Sequence, residues 1–129
     1  MKVLSFDPRP RPQATIPPGV DFVGWSELLE RSEILSLHVP LTPDTHHLVN
    51  AQTVPFLKRG VMLVNTGRGA LIDSTALIEG LKAGHIAGAA LDVYEDEAGV
   101  FYTDRSEQPL QDDVLARLMS FPNVIVTSH

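Results

Sequence analysis

Short runs of apolar residues alternate along this chain with segments whose apolar residues are spaced three or four positions apart. The apolar runs predict buried strands at residues 2–6, 34–39, 61–64, 86–93 and 124–126. Helical spacing and capping residues predict helices at residues 26–31, 46–49, 51–57, 73–83 and 114–119. Gly84 is expected to end the fourth of these helices. Strands that alternate with helices of about ten residues predict an α/β fold with a doubly wound, mostly parallel sheet.

Two segments fit neither pattern. Residues 8–18 contain five prolines, which exclude a helix and favour an extended surface loop. Residues 95–110 are rich in acidic and polar residues and are predicted to form an irregular loop. The length of 129 residues predicts one domain or part of one, and the sequence contains no internal repeat.

The composition narrows the possible classes of function. The formal net charge of −6 argues against a nucleic-acid-binding surface. The chain has no cysteine, so disulfides and thiolate metal sites are excluded. No apolar run approaches the ~18 residues that cross a bilayer, and the N-terminal apolar stretch is too short for a signal peptide. We therefore expect a cytoplasmic protein without nucleic-acid or membrane partners.

Three polar residues with complementary chemistry each follow a predicted strand. Arg68, Glu97 and His129 come after the third, fourth and fifth strands, and Arg68 lies within a Gly-Arg-Gly turn. Carboxyl ends of parallel strands share one edge of a sheet, where ligands bind in open α/β folds, so we expect the three to converge. An arginine can bind a carboxylate through two parallel hydrogen bonds, and a histidine beside a carboxylate can transfer protons near neutral pH. The alternative for Arg68 is a solvent-exposed side chain on a glycine-rich turn.

Four segments together resemble the NAD-dependent D-2-hydroxyacid dehydrogenases, and within that family the fermentative D-lactate dehydrogenases. In chain order they are ILSLHVPLTP (34–43), VNTGRGALID (64–73), LDVYEDE (91–97) and NVIVTSH (123–129). Each segment alone is a weak signal, but their order and spacing match the family over essentially the whole chain. The residues GVFY at 99–102 and the long acidic loop after Glu97 favour the D-lactate branch.

The resemblance implies a reaction and a catalytic set. The reaction is the interconversion of pyruvate and D-lactate with NADH and NAD. Arg68 is assigned to the substrate carboxylate and carbonyl. His129 is assigned to proton transfer, and Glu97 to holding His129 in its charged form. The implied partner is thus a small 2-oxo or 2-hydroxy acid.

The resemblance also implies which residues contact NAD. Asp7, at the end of the first strand, matches the acid that binds the adenosine ribose hydroxyls, and an acid there favours NAD over NADP. The alternative for Asp7 is a turn residue before Pro8. Contacts to the nicotinamide half of NAD are implied for Val39, Pro40, Thr45, Thr66, Gly67 and Asp92.

Parts of the family pattern are not found in the chain. No G-x-G-x-x-G fingerprint is present, since Ile72 stands at the third glycine position. We therefore interpret residues 1–129 as a partial NAD-binding domain, without a substrate-binding domain. Its Rossmann-like sheet is expected to lack the first strand and the glycine-rich loop. In the order 3-2-1-4-5-6, that strand lies between residues 2–6 and residues 34–39.

Alternatives stay open at the level of activity. The parent enzyme, which the resemblance implies is a homo-oligomer, is either a D-lactate dehydrogenase or acts on another D-2-hydroxy acid of the glyoxylate or hydroxypyruvate type. The alternative from a different class is that the chain is a catalytically silent binding or oligomerisation module. We expect the isolated fragment to be inactive.

The histidines other than His129 are predicted to have structural roles. His46 and His47 are adjacent, so on a helix their rings point in different directions. His85 follows a glycine that ends a helix, where a histidine suits the helix dipole. We therefore predict no metal ligand and no catalytic base among His38, His46, His47 and His85.

Overall fold

The computed structural model describes residues 1–9, 16–95 and 113–127. The strands are β1 (Val3–Ser5), β2 (Val20–Phe22), β3 (Ile34–Leu37), β4 (Val61–Asn65), β5 (Ile86–Leu91) and β6 (Val124–Val126). The α-helices are α1 (Trp25–Arg31), α2 (Ser74–Lys82) and α3 (Asp113–Met119), and 3₁₀-helical turns cover Val54–Phe56 and Gly69–Leu71. Glu97, His129, nearly all of the predicted loop at 95–110 and part of the proline-rich stretch lie outside the described residues.

All strand pairs in the described residues are parallel, and they form two separate sheets. β1 pairs with β2, while the larger sheet has the order β3-β4-β5-β6. Within this part of the chain β1 and β3 share no strand neighbour, which confirms the predicted break between them. Because the strands of the larger sheet are parallel, their carboxyl ends lie at one edge, and the loops that follow them are neighbours.

The core lies on the face of the larger sheet that α2 and α3 cover. Alternate residues of β3 and β4 point into it, as the burial of Leu35, Leu37 and Leu63 shows. The helices α2 and α3 contact each other and pack on β5 and β6, respectively. Other large side chains that are fully buried are Leu71, Leu77, Ile86, Leu115 and Leu118.

The helix α2 has the start and end that its sequence predicts. The carboxylate of Asp73 accepts hydrogen bonds from the backbone N–H groups of Thr75 (2.9 Å) and Ala76 (3.3 Å), so it caps the helix. Gly84 follows the helix with φ +64, in the left-handed region that glycine tolerates best. These two residues therefore fix where α2 begins and where the chain leaves it.

The opposite face of the larger sheet is apolar and open to solvent. Ile34 and Met62 are register partners on β3 and β4, and 58% and 50% of their surfaces are exposed. Ile125 on β6 lies on the same face and is 64% exposed. Among the described residues, no helix has the length and apolar character that crossing a membrane requires.

Most element boundaries confirm the predictions from the sequence. All five predicted strands, and the helices predicted at 26–31, 73–83 and 114–119, form with ends that agree within two residues. The pattern does not predict β2, because its three residues follow Pro17, Pro18 and Gly19 and carry too short an apolar signal. Of the helix predicted at 51–57, only the 3₁₀ turn Val54–Phe56 forms.

The prediction of a helix at residues 46–49 is wrong, because none of these residues is helical and His46 and His47 lie in a turn. The backbone N–H of His47 donates to the carbonyl of Ala70 (2.8 Å), and that of Val49 donates to the carbonyl of Leu71 (3.1 Å). Val49 also forms a parallel bridge with Ile72. These N–H groups therefore bond to the loop after β4 and not to carbonyls within a helix. His47 adopts φ +51 in this arrangement.

Candidate active site

A buried asparagine organises the turn that carries Arg68. Asn65 ends β4, and only 1% of its surface is exposed. Its Oδ1 accepts from the N–H of Gly67 (3.1 Å), and its Nδ2 donates to the carbonyl of Arg68 (2.9 Å). Both bonds join the Asn65 amide to the backbone of the turn. The position of Arg68 is therefore set by the core and not by its own side chain.

We expect Asn65→Ala to destabilise the domain by at least about 2 kcal/mol, because it leaves backbone partners at Gly67 and Arg68 unsatisfied beside the core. Urea unfolding followed by circular dichroism measures this change. The matched control is Asn123→Ala, which removes one exposed bond to the Ala87 carbonyl and should cost less than about 1 kcal/mol. Equal effects of the two substitutions would contradict the organising role of Asn65.

The Arg68 side chain is exposed and extends from the carboxyl end of β4. Its Nη1 donates to the carbonyl of Gly67 at 2.9 Å. A guanidinium has five N–H donors, so this single bond leaves donors for a ligand. Arg68 is thus oriented by one local bond while it faces solvent, as an anion-binding arginine requires.

Gly69 permits a close approach between two loops at this edge. A Cβ atom on Gly69 would lie 2.0 Å from the carbonyl oxygen of Tyr94 and 2.5 Å from the nitrogen of Glu95. Both atoms belong to the backbone that follows β5, so neither can move aside as a side-chain end could. The absence of a side chain at Gly69 therefore lets the segment after β5 run against the Arg68 turn.

An open depression lies between the carboxyl ends of β3 and β4. It has a volume of about 400 Å³ and is lined by His38, Val39, Pro40, Leu41, Gly67 and Arg68. The structure thus brings together four residues that the sequence singles out from two separate segments: Val39, Pro40, Gly67 and Arg68. His38 and Leu41 complete the lining, and the sequence did not assign them to the site.

The hydroxyl of Thr45 fastens the loop beside this depression. Its Oγ1 donates to the carbonyl of Pro40 (2.7 Å) and accepts from the N–H of Thr42 (2.8 Å). Thr66, between Asn65 and Gly67, is exposed. Thr45 therefore holds the lining in place, and Thr66 lies at the surface of the same edge.

The remaining described site residues, Asp92 and Asp7, lie at the ends of other strands. Asp92 follows β5, and its Oδ1 accepts from the hydroxyl of Thr127 at 2.5 Å. This bond ties the segments after β5 and β6 together. Asp7 follows β1 in the smaller sheet, is half-buried, and accepts from the N–H of Arg9 at 2.9 Å. This bond places Asp7 in the turn that follows β1.

Glu97 and His129 lie outside the described residues, but the chain segments that lead to them reach this edge. Glu95 passes against Gly69, and the N–H of Thr127 donates to the carbonyl of Leu91 at 2.9 Å. The described residues therefore join the segment before Glu97 to the Arg68 turn. They also join the segment before His129 to the end of β5.

Comparison with known proteins agrees with this arrangement. The family model for the NAD-binding domain of D-isomer-specific 2-hydroxyacid dehydrogenases matches residues 1–129. The chain belongs to this family. It is 46% identical over 129 residues to a D-lactate dehydrogenase of Escherichia coli, covering 100% of this chain and 39% of that protein. It is 49% identical over 110 residues to an aromatic 2-oxoacid reductase of Clostridium sporogenes, covering 85% and 33%.

The fold agrees with a solved structure from the same family. A D-lactate dehydrogenase from Treponema pallidum superposes with a TM-score of 0.90 at 47% identity, covering 99% of this chain and 38% of that one. This confirms the α/β fold of the Rossmann type and identifies the cofactor as NAD. The chain spans less than two fifths of the length of the relatives named here.

Proposed function

We propose that this chain is the NAD-binding part of an enzyme that interconverts pyruvate and D-lactate. The observation that carries the proposal is the position of Arg68. This exposed guanidinium borders a depression at the carboxyl edge of a parallel sheet, and Asn65 and Gly69 fix the turn that carries it. Such an edge is where open α/β sheets bind ligands, and arginine is the side chain best suited to a carboxylate.

The chemistry follows from the side chains at this edge. The Arg68 guanidinium binds the substrate carboxylate and polarises the neighbouring carbonyl, so negative charge on that oxygen is stabilised as it develops. When bound, NADH supplies the hydride that reduces the carbonyl carbon. His129 donates a proton to the alkoxide oxygen, and Glu97 stabilises the imidazolium form of His129. The segments before Glu97 and His129 reach the same edge, which supports their assignment to this set.

Residues of both sheets suit the NAD molecule itself. Asp7 at the end of β1 offers a carboxylate for the adenosine ribose hydroxyls, as an acid at this position does in NAD-binding folds. Val39, Pro40 and Gly67 line the depression on the other side of the break between the sheets. The break therefore lies between the two groups of residues that we assign to the adenosine and nicotinamide halves of NAD.

A panel of 2-oxo acids tests the substrate assignment in the enzyme that carries this chain. We expect kcat/KM for pyruvate to exceed that for phenylpyruvate, glyoxylate and hydroxypyruvate by at least about tenfold, the scale on which a pocket separates substrates that differ by small groups. A preference for phenylpyruvate would change the assigned substrate from pyruvate to an aromatic 2-oxo acid. The similarity to the aromatic 2-oxoacid reductase of Clostridium sporogenes favours that alternative. Absence of NADH oxidation with every member of the panel would instead favour a catalytically silent role.

A further inference from the structure

A second cluster of polar side chains lies apart from the depression. One ring nitrogen each of His46 and His47 and one carboxylate oxygen of Glu95 lie within 4.8 Å of one another. The two imidazole rings are stacked, with centroids 3.9 Å apart and an interplanar angle of 29°. Nε2 of His47 is hydrogen-bonded to Oε1 of Glu95. We propose that these three residues bind a divalent transition-metal ion, for which Zn²⁺ is the best match.

The backbone at His47 brings two adjacent histidines to the same place. Neighbouring residues on an α-helix point about 100° apart, which follows from 3.6 residues per turn. Here His47 has φ +51, a conformation that non-glycine residues rarely adopt. Two hydrogen bonds hold this conformation. The N–H of His47 donates to the carbonyl of Ala70 (2.8 Å), and Nδ2 of Asn50 donates to the carbonyl of His47 (2.7 Å). The stacked pair of rings is therefore a product of tertiary structure.

Glu95 is also held in place before any ion binds. Its Oε2 accepts from the hydroxyl (3.0 Å) and from the backbone N–H (3.3 Å) of Ser74, the first residue of α2. These bonds leave Oε1 directed at the imidazole of His47. Carboxylates that bind metals are commonly fixed by such hydrogen bonds, which orient the ligand and tune its basicity. Ser74 thus acts as the supporting residue of the proposed site.

The donor set determines which ion fits. Two imidazole nitrogens and one carboxylate oxygen form the ligand set of many zinc sites, whereas Ca²⁺ and Mg²⁺ prefer oxygen donors alone. Zinc binds nitrogen and oxygen ligands at about 2.0–2.2 Å, usually with four ligands. Three protein ligands therefore leave the fourth position for water. On binding, the ion takes the place of the proton between His47 and Glu95, and His47 coordinates through Nε2 as the neutral imidazole with its proton on Nδ1. The side chains of His47 and Glu95 are 30% and 26% exposed, so the ion has access from solvent.

His46 distinguishes a metal site from a purely structural contact. If the bond between His47 and Glu95 only fastens the segment after β5 to the turn that contains His47, the exposed His46 ring contributes nothing to it. If the cluster binds zinc, His46 supplies one of three protein ligands. Since His46 is exposed, its replacement leaves the fold intact and tests the site directly.

Isothermal titration of the untagged, chelator-treated protein with zinc chloride tests the proposal. We expect a site with Kd on the order of 10 µM or tighter, and at least about tenfold weaker binding in both His46→Ala and Glu95→Gln, as for loss of one ligand. His85→Ala is the matched control, because His85 bonds to the carbonyl of Leu57 and should leave zinc affinity unchanged. Circular dichroism of each variant verifies that it is folded.

Two results would overturn the metal site. One is that the wild-type protein gives no heat of binding at zinc concentrations well above the expected Kd, which is on the order of 10 µM. The other is His46→Ala binding zinc as tightly as the wild type. Neither result bears on the dehydrogenase activity, because the titration measures zinc binding without substrate or NAD.

Discussion

Gly69→Ala is expected to lower kcat/KM by about 100-fold or more in the enzyme that carries this chain, as for a misplacement of about 1 Å at an active site. The added methyl group would lie 2.0 Å from the carbonyl oxygen of Tyr94, which is impossible without a backbone shift. Either the Arg68 turn or the segment that leads to Glu97 must then move. We also expect a loss of about 2–3 kcal/mol in the free energy of unfolding, because overpacking against a rigid neighbour is costly.

Two other glycines provide a graded control for this prediction. Gly24 has φ −69, and a methyl group added there would meet nothing within 4 Å, so Gly24→Ala should leave the rate unchanged. As Gly24 is the N-cap residue of α1, we expect this substitution to cost at most about 1 kcal/mol. At Gly80 the added methyl would meet Cδ1 of Ile86 at 2.5 Å, and that side-chain end can rotate away. The expected order of damage is therefore Gly69, then Gly80, then Gly24. Near-normal kcat/KM in Gly69→Ala would show that the contact between the two loops has no part in the site.

Arg68→Lys is expected to reduce kcat/KM for pyruvate by about 10- to 100-fold, although the charge is kept. Lysine cannot form the two parallel hydrogen bonds that a planar guanidinium forms with a carboxylate. Loss of one charge-assisted bond corresponds to about 1.5–3 kcal/mol, which gives this range of rates. We expect KM to rise because the carboxylate is bound in the ground state. We expect kcat to fall because carbonyl polarisation is strongest in the transition state.

Arg59→Lys is the matched control for Arg68→Lys. Arg59 is an exposed arginine in the turn before β4, at the opposite end of the same strand. Its replacement should leave both kcat and KM close to the wild-type values. Steady-state rates of NADH oxidation with pyruvate separate the two variants. A wild-type kcat/KM in Arg68→Lys would remove the argument for two parallel hydrogen bonds at this position.

The order of strands and helices could be predicted from the sequence because burial imposes it locally. Apolar runs such as residues 61–64 and 86–93 predict strands buried on both faces, and they form β4 and β5. The burial on both faces is wrong for β4, because Met62 is 50% exposed on the open face of the larger sheet. The ends of α2 could be predicted because Asp73 and Gly84 act on the backbone next to them. The position of Arg68 followed from the rule that parallel strands share a carboxyl edge.

Contacts between distant segments could not be predicted from the same patterns. In the sequence, Gly69 indicates only a flexible turn. In the structure, backbone atoms of Tyr94 and Glu95 occupy the space that a side chain at position 69 would need. His46 and His47 were expected to diverge, but the bond from His47 to Ala70 changes the backbone so that their rings stack. In both cases a loop from elsewhere in the chain decides the local geometry, and local propensity carries no signal of it.

A crystal structure of the enzyme that carries this chain, with NADH and the unreactive 2-oxo acid analogue oxamate, tests the central claim most directly. We predict that the oxamate carboxylate lies against Arg68, with two guanidinium nitrogens at about 2.7–2.9 Å from its oxygens. The depression formed by Val39, Pro40 and Gly67 should lie beside the bound pair. Oxamate bound at another place, with the Arg68 guanidinium still contacting only the Gly67 carbonyl, would contradict the account.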